Sequence, residues 1–162
     1  ASSYHQLGMI AQERGEYDQA LEWYRKSLTI EEEIGNRAGM ASSYHQLGMI
    51  AQERGEYDQA LEWYRKSLTI NEELGNRAGM AISFSQIGVL YTQIGRAAEA
   101  VVYNLRSLSI REQLGSPQVS TDLYWLNQQR RVLGEGEFRR LLAEQLDSGT
   151  VDAVIARLES GD

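Results

Sequence analysis

The chain has 162 residues, 42% hydrophobic and 24% charged, a composition ordinary for a soluble domain or a short repeat array. It has no cysteine and one proline, Pro117, so disulfides, thiolate chemistry and cysteine-based zinc sites are excluded and long helices can run uninterrupted. A net charge of −7 disfavours nucleic acid or an anionic membrane as the main partner. No apolar run of about 18 residues offers a membrane span, and no signal-like start is present. The expected location is cytoplasmic.

An internal repeat dominates the chain. Residues 1–40, opening "ASSYHQLGMIAQERGEYDQALEWYRKSL", recur at 41–80 with two changes, Glu31 to Asn71 and Ile34 to Leu74. Residues 81–120 match the second copy at 12 of 40 positions, among them Gly88, Gly95, Ala100, Ser107, Leu108 and Gly115. Residues 121–162 keep only the apolar periodicity. The expected organisation is therefore four units, 1–40, 41–80, 81–120 and 121–162.

Each unit reads as two helices. In the first, Tyr4, Leu7, Gly8 and Ala11 recur at i, i+3, i+4 and i+7, one face turned to the second helix. Gly15 ends that helix. In the second, Tyr17, Ala20, Leu21, Tyr24 and Leu28 share a face, and Ile30 and Ile34 extend the apolar surface. Gly35 suits the left-handed residue past a helix end, and Asn36 suits the N-cap of the next helix. Gly75 and Asn76 repeat this punctuation. The loops are short, which predicts antiparallel neighbours. Glycine inside a helix costs about 1 kcal/mol relative to alanine. Its recurrence at Gly8, Gly48 and Gly88 predicts a close helix approach, with Ala20, Ala60 and Ala100 as the matching small surfaces. The "EEE" run at 31–33 and the Arg25–Lys26 pair are expected on a solvated outer face.

The fourth unit departs from the pattern. Asn127 and Gln128 stand where the other units have a Leu–Gly or Ile–Gly pair. "RRLLAEQL" reads as an apolar helix, and "TVDAVIARL" as a short last helix after a turn at Asp147, Ser148 and Gly149. A terminal repeat must cover the last apolar face and present a polar exterior. Phe138, Leu141, Leu142 and Leu146 suit the first task, and Arg139, Arg140 and Glu144 the second. The first unit shows no such cap, and reads as a piece of a longer array or an array built from one repeat.

These positions resemble the tetratricopeptide repeat (TPR). Tyr4, Leu7, Gly8, Gly15, Tyr17, Ala20 and Tyr24 fall at the motif's first-helix aromatic, its Leu–Gly pair, its turn, and its second-helix small and aromatic positions. The agreement covers residues 1–115. The period of 40, against the usual 34, is similar to an extended subclass found in spindle-orientation adaptors and in bacterial multidomain signalling proteins. Ser27 replaces the family's usual alanine, and Asn104 replaces the second-helix aromatic of the third unit.

The resemblance implies an all-α fold, an α-solenoid of antiparallel helix pairs in a right-handed superhelix, with about three TPR units and a divergent C-terminal helical cap. It also implies that ligand is held in a concave groove lined by the first helices, at positions turned from the seam. These are Ser2, His5, Gln6, Met9, Gln12 and Glu13, then Ser42, His45, Gln46, Met49, Gln52 and Glu53, then Ser85, Gln86 and Val89. Chaperone-binding relatives clamp a terminal carboxylate there with Lys, Asn and Arg. Those residues are missing, so that ligand is not expected.

His5 with Met9, and His45 with Met49, are four residues apart and share a helix face. Imidazole and thioether suit copper(I), but two donors do not close a site, and the third unit has Ser85 and Val89 instead. No Gly-rich phosphate loop or HExxH motif is present, and no carboxylate is placed to orient His5. No enzyme, metal or cofactor is expected. Two functions remain: a non-catalytic scaffold binding a protein or peptide, with adaptable methionines in the groove, and a self-associating module. The scaffold reading places the ligand on the first two units rather than the third. The self-association reading predicts a homodimer through an exposed N-terminal face of Tyr4, Leu7 and Ile10.

Overall fold

The computed structural model describes residues 2–161. Among these, nine helices follow in order and no strand occurs: α1 (Ser2–Glu13), α2 (Tyr17–Ile34), α3 (Arg37–Glu53), α4 (Tyr57–Leu74), α5 (Arg77–Gln93), α6 (Ala97–Gln113), α7 (Val119–Leu133), α8 (Glu135–Gln145) and α9 (Ser148–Ser160). They group into two compact units, Ala1–Gly79 and Met80–Asp162, whose boundary falls within the first turn of α5.

The punctuation read from the sequence is what separates α2 from α3. Gly35 takes φ 69°, and the next amide, that of Asn36, donates to the carbonyl of Glu31 at 2.8 Å. Only glycine adopts this left-handed backbone without a Cβ penalty. The Asn36 side chain then accepts from the Gly39 amide at 3.0 Å, capping α3.

In the first unit, Tyr24 and Tyr64 are fully buried, and Leu47 and Ile50 close over a cluster with Ala11, Ala20 and Tyr24. Tyr4 stacks on Trp23 at 5.5 Å, and Tyr44 on Trp63 at 5.6 Å. The glycine positions need one correction. A Cβ on Gly8 would first meet the Tyr24 ring, at 2.7 Å, and one on Gly48 the Tyr64 ring, at 2.6 Å. The close approach is thus between a glycine backbone and an aromatic face, rather than between glycine and Ala20 or Ala60.

The acidic run also divides. Glu32 and Glu33 are exposed, but Glu31 is 4% exposed, and its carboxylate accepts from Ser27 Oγ at 2.9 Å and Ser43 Oγ at 2.7 Å. A buried carboxylate is tolerated only with such donors. Ile34, expected to extend the apolar face, is 67% exposed.

In the second unit, Val101, Leu105 and Leu108 of α6 form one core with Leu123 and Leu126 of α7, Phe138 and Leu142 of α8, and Ile155 of α9. Leu141 and Leu146 pack at its margin. Outside, Arg139 pairs with Glu135 and Asp152, and Arg140 with Glu137 and Glu144. Exposed pairs of this kind contribute at most about 1 kcal/mol each, so α8 is held by Phe138 and Leu142. The stretch at Asp147 is a helix start rather than a free turn. Asp147 caps α9 by accepting from the Thr150 amide at 2.8 Å, and Ser148 and Gly149 lie in its first turn.

Candidate functional site

The expected binding residues of the first unit separate into two sets along α1 and α3. Ser2, Gln6, Met9 and Glu13 run at i, i+4, i+7 and i+11 and are all exposed, Met9 by 43%. On α3, Ser42 and Glu53 are exposed, and Gln46 and Met49 are half-buried. In the second unit, Gln86 and Val89 are half-buried at the corresponding places on α5.

His5, His45, Gln12 and Gln52 depart from the expected orientation, because the second-helix tyrosines engage them. His5 meets the Tyr24 ring edge-on at 5.3 Å, and His45 lies 5.7 Å from the Tyr64 ring. Tyr24 Oη donates to Gln12 Oε1 at 3.1 Å, and Tyr64 Oη donates to Gln52 Oε1 at 2.7 Å. Burial pushes both phenols up, Tyr24 to about 12, with the charges of Glu13 and Glu53 adding to the effect at Tyr24. Both therefore stay protonated donors at neutral pH. These hydrogen bonds hold the Gln12 and Gln52 side chains to Tyr24 and Tyr64.

His45 is more deeply placed than His5. Its Nδ1 is buried with no hydrogen-bond partner among the described residues, and burial lowers its pKa. The unfolded chain then takes up the proton first, near pH 6.5. The contribution of neutral His45 is complete above that pH and is lost as pH falls through the lower, folded value. The melting temperature of the unsubstituted chain is expected to fall more between pH 7.5 and 5.5 than that of His45→Phe. Parallel melting curves at the two pH values test this, and equal slopes would sink it.

Ser85 stands apart. It is 5% exposed and accepts from Arg111 Nη1 at 3.4 Å, so its hydroxyl belongs to the interior of the second unit. There it touches a buried polar cluster that sequence reasoning missed. Arg111 Nη1 and Ser107 Oγ each donate to Asp122 Oδ2 at 2.8 Å, and Asn104 Nδ2 donates to Asp122 Oδ1 at 3.1 Å. Gln129 Nε2 donates to Asn104 Oδ1 at 2.8 Å and to Thr92 Oγ1 at 3.0 Å. One signal was legible: Asn104 occupies the place of Tyr24 and Tyr64, and a buried amide there demands polar company.

A separate groove of about 740 Å³ is lined by residues of α3 and α4, including Met40, Tyr44, Leu61 and Ile70. Four of its charged residues pair within it, Arg37 with Glu73 and Lys66 with Glu62. None of the sequence-predicted site residues lines it.

The family model described as tetratricopeptide repeat matches residues 1–73 and 39–113. Among curated proteins none matches the chain. Solved structures share the fold. BtubC (BKLC) from P. vanneervenii is 24% identical, with a TM-score of 0.75 over 96% of this chain and 63% of its own. A Podosopora anserina protein described as a kinesin light chain with nearly identical TPR-like repeats is 19% identical, with a TM-score of 0.71 over 99% of this chain and 85% of its own. RapI in its apo form is 16% identical, with a TM-score of 0.72 over 97% of this chain and 66% of its own. The chain thus spans less than two thirds of BtubC's length. The family match covers most of the chain and coincides with the Tyr–Leu–Gly and Ala–Tyr positions whose packing forms the first unit: this all-α solenoid belongs to the tetratricopeptide repeat family.

Proposed function

We propose that the first unit binds an extended peptide or a helix of a partner protein along the first-helix stripe of Ser2, Gln6, Met9 and Glu13 on α1 and Ser42, Gln46, Met49 and Glu53 on α3. The family's general role as a protein–protein interaction scaffold supports the reading. The observation that carries it is the repetition of one pattern, a methionine flanked by a glutamine and a glutamate, on consecutive first helices, exposed on α1 and exposed to half-buried on α3. Met9 and Met49 supply adaptable apolar contact, and the glutamine amides can pair with peptide backbone. The proposed role is non-catalytic, as is general for the family.

The chain's four methionines give a direct test, because Met9 and Met49 lie on the stripe while Met40 and Met80 do not. Peptides selected from a random library against the protein are expected to shift the methyl resonances of Met9 and Met49 and to lose binding to Met49→Glu. Selected peptides that move only Met40, or that bind Met49→Glu equally well, would remove the stripe as the site.

A further inference from the structure

The methionine stripe of the first unit carries charge of one sign. Its only charged side chains are Glu13 and Glu53, both exposed, and no lysine or arginine falls on it. Neither carboxylate enters an ion pair among the described residues. Arg54, next to Glu53 in the chain, is turned instead to Asp18 at 2.9 Å and Glu56 at 3.1 Å. The two negative charges act at one place. Burial first, then Glu13 and Glu53 together, push the Tyr24 phenol up, and the Glu53 charge foremost raises Tyr17, whose hydroxyl it holds by a hydrogen bond. Carboxylates from consecutive first helices therefore add where the two halves of the stripe end.

The duplication repeats this chemistry. The two positions that differ between residues 1–40 and 41–80, Glu31/Asn71 and Ile34/Leu74, lie off the stripe. Met9 with Glu13 on α1 is therefore matched by Met49 with Glu53 on α3. In each pair the glutamate stands one turn beyond the methionine, about 6 Å along the helix axis. A lysine or arginine side chain spans such a gap, with its aliphatic stem on apolar surface and its charged head beyond it. On α5 the pair is lost, with Val89 and Gln93 at the corresponding positions.

We propose that the occupant of the stripe is an extended, basic segment of a partner protein that presents two lysines or arginines, one to Met9 and Glu13 and one to Met49 and Glu53. This rests on the reading of the stripe given above and adds the chemistry of what binds there. Helices packed in one layer stand about 10 Å apart, and an extended chain covers that distance in about three residues, so the two basic residues are separated by two others. An acidic segment meets two carboxylates of its own sign, and a neutral one leaves both unmatched.

The probe is a random peptide library selected at near-physiological salt against the full chain and, in parallel, against Glu13→Lys/Glu53→Lys. Peptides with paired lysines or arginines are expected from the first selection and acidic peptides from the second. Binding of a basic peptide is expected to weaken tenfold or more in Glu13→Gln/Glu53→Gln and to stay unchanged in Glu33→Gln/Glu72→Gln, which removes two exposed acids that lie off the stripe. Selected peptides that shift the Met9 and Met49 methyl resonances without being basic overturn this inference and leave the stripe as the site. Basic peptides that bind Glu13→Gln/Glu53→Gln as tightly as the unsubstituted chain overturn it too. So does equal weakening by the two double variants, since net charge rather than the stripe is then what the peptides read.

Discussion

Asp122→Ala is expected to destabilise the second unit by about 3–5 kcal/mol, the range found when one partner of a buried ion pair is removed. Asp122 is 0% exposed and its two oxygens accept from Arg111, Ser107 and Asn104. Truncation leaves a guanidinium that is 7% exposed without its carboxylate, together with two neutral donors. The opposite change is cheaper. In Arg111→Met/Asp122→Leu both charges go, so the double variant is expected to be more stable than Asp122→Ala, although Asn104 and Ser107 still lose an acceptor. Urea unfolding followed by far-ultraviolet circular dichroism measures both. A double variant less stable than the single would show that the pair itself, rather than the orphaned charge, carries the energy.

Gly48→Ala is expected to destabilise the first unit by about 1–3 kcal/mol, against the sign that helix propensity alone dictates. At an exposed helical site the same change stabilises by about 1 kcal/mol. Here the new methyl lies 2.6 Å from a ring carbon of Tyr64, which is 0% exposed and tied through its hydroxyl to Gln52. A buried ring in a close-packed interior has nowhere to move. The cost should shrink sharply in a Tyr64→Ala background, where the ring is gone, and persist in an Ala60→Gly background. Additive effects of Gly48→Ala and Tyr64→Ala would exclude the ring as the obstacle. Gly88→Ala is the parallel case in the second unit, where Asn104 replaces the ring and is held by Gln129 and Asp122.

Much of this architecture can be read without coordinates, because the features that specify it are local and repeated. Gly35 and Asn36 mark the α2–α3 boundary through backbone freedom and a capping oxygen, and both act within three residues of themselves. The helical faces follow from a period of about 3.6 residues, and the near-identity of residues 1–40 and 41–80 multiplies each such signal. The candidate stripe was legible to the same extent: the exposed places of Met9 and Glu13 follow from periodicity, whereas the turning of His45 toward Tyr64 does not.

What the sequence by itself determined is the helix order, the turn positions and the pairing of a glycine with something close. What only the tertiary structure decided is the identity of each partner. Glu31 looks like part of a solvated acidic run, yet Ser43, 12 residues along the chain, makes it a buried acceptor. Asp122 and Gln129 carry no local signature of burial, and they become interior residues because α7 brings their donors and acceptors to Asn104. Leu7 and Leu47 are the same residue in the same local sequence, one 41% exposed and the other 1%. The physical reason is common to all three. Burial of a polar or apolar group depends on which distant surface completes its surroundings, and neither helical period nor composition encodes that surface.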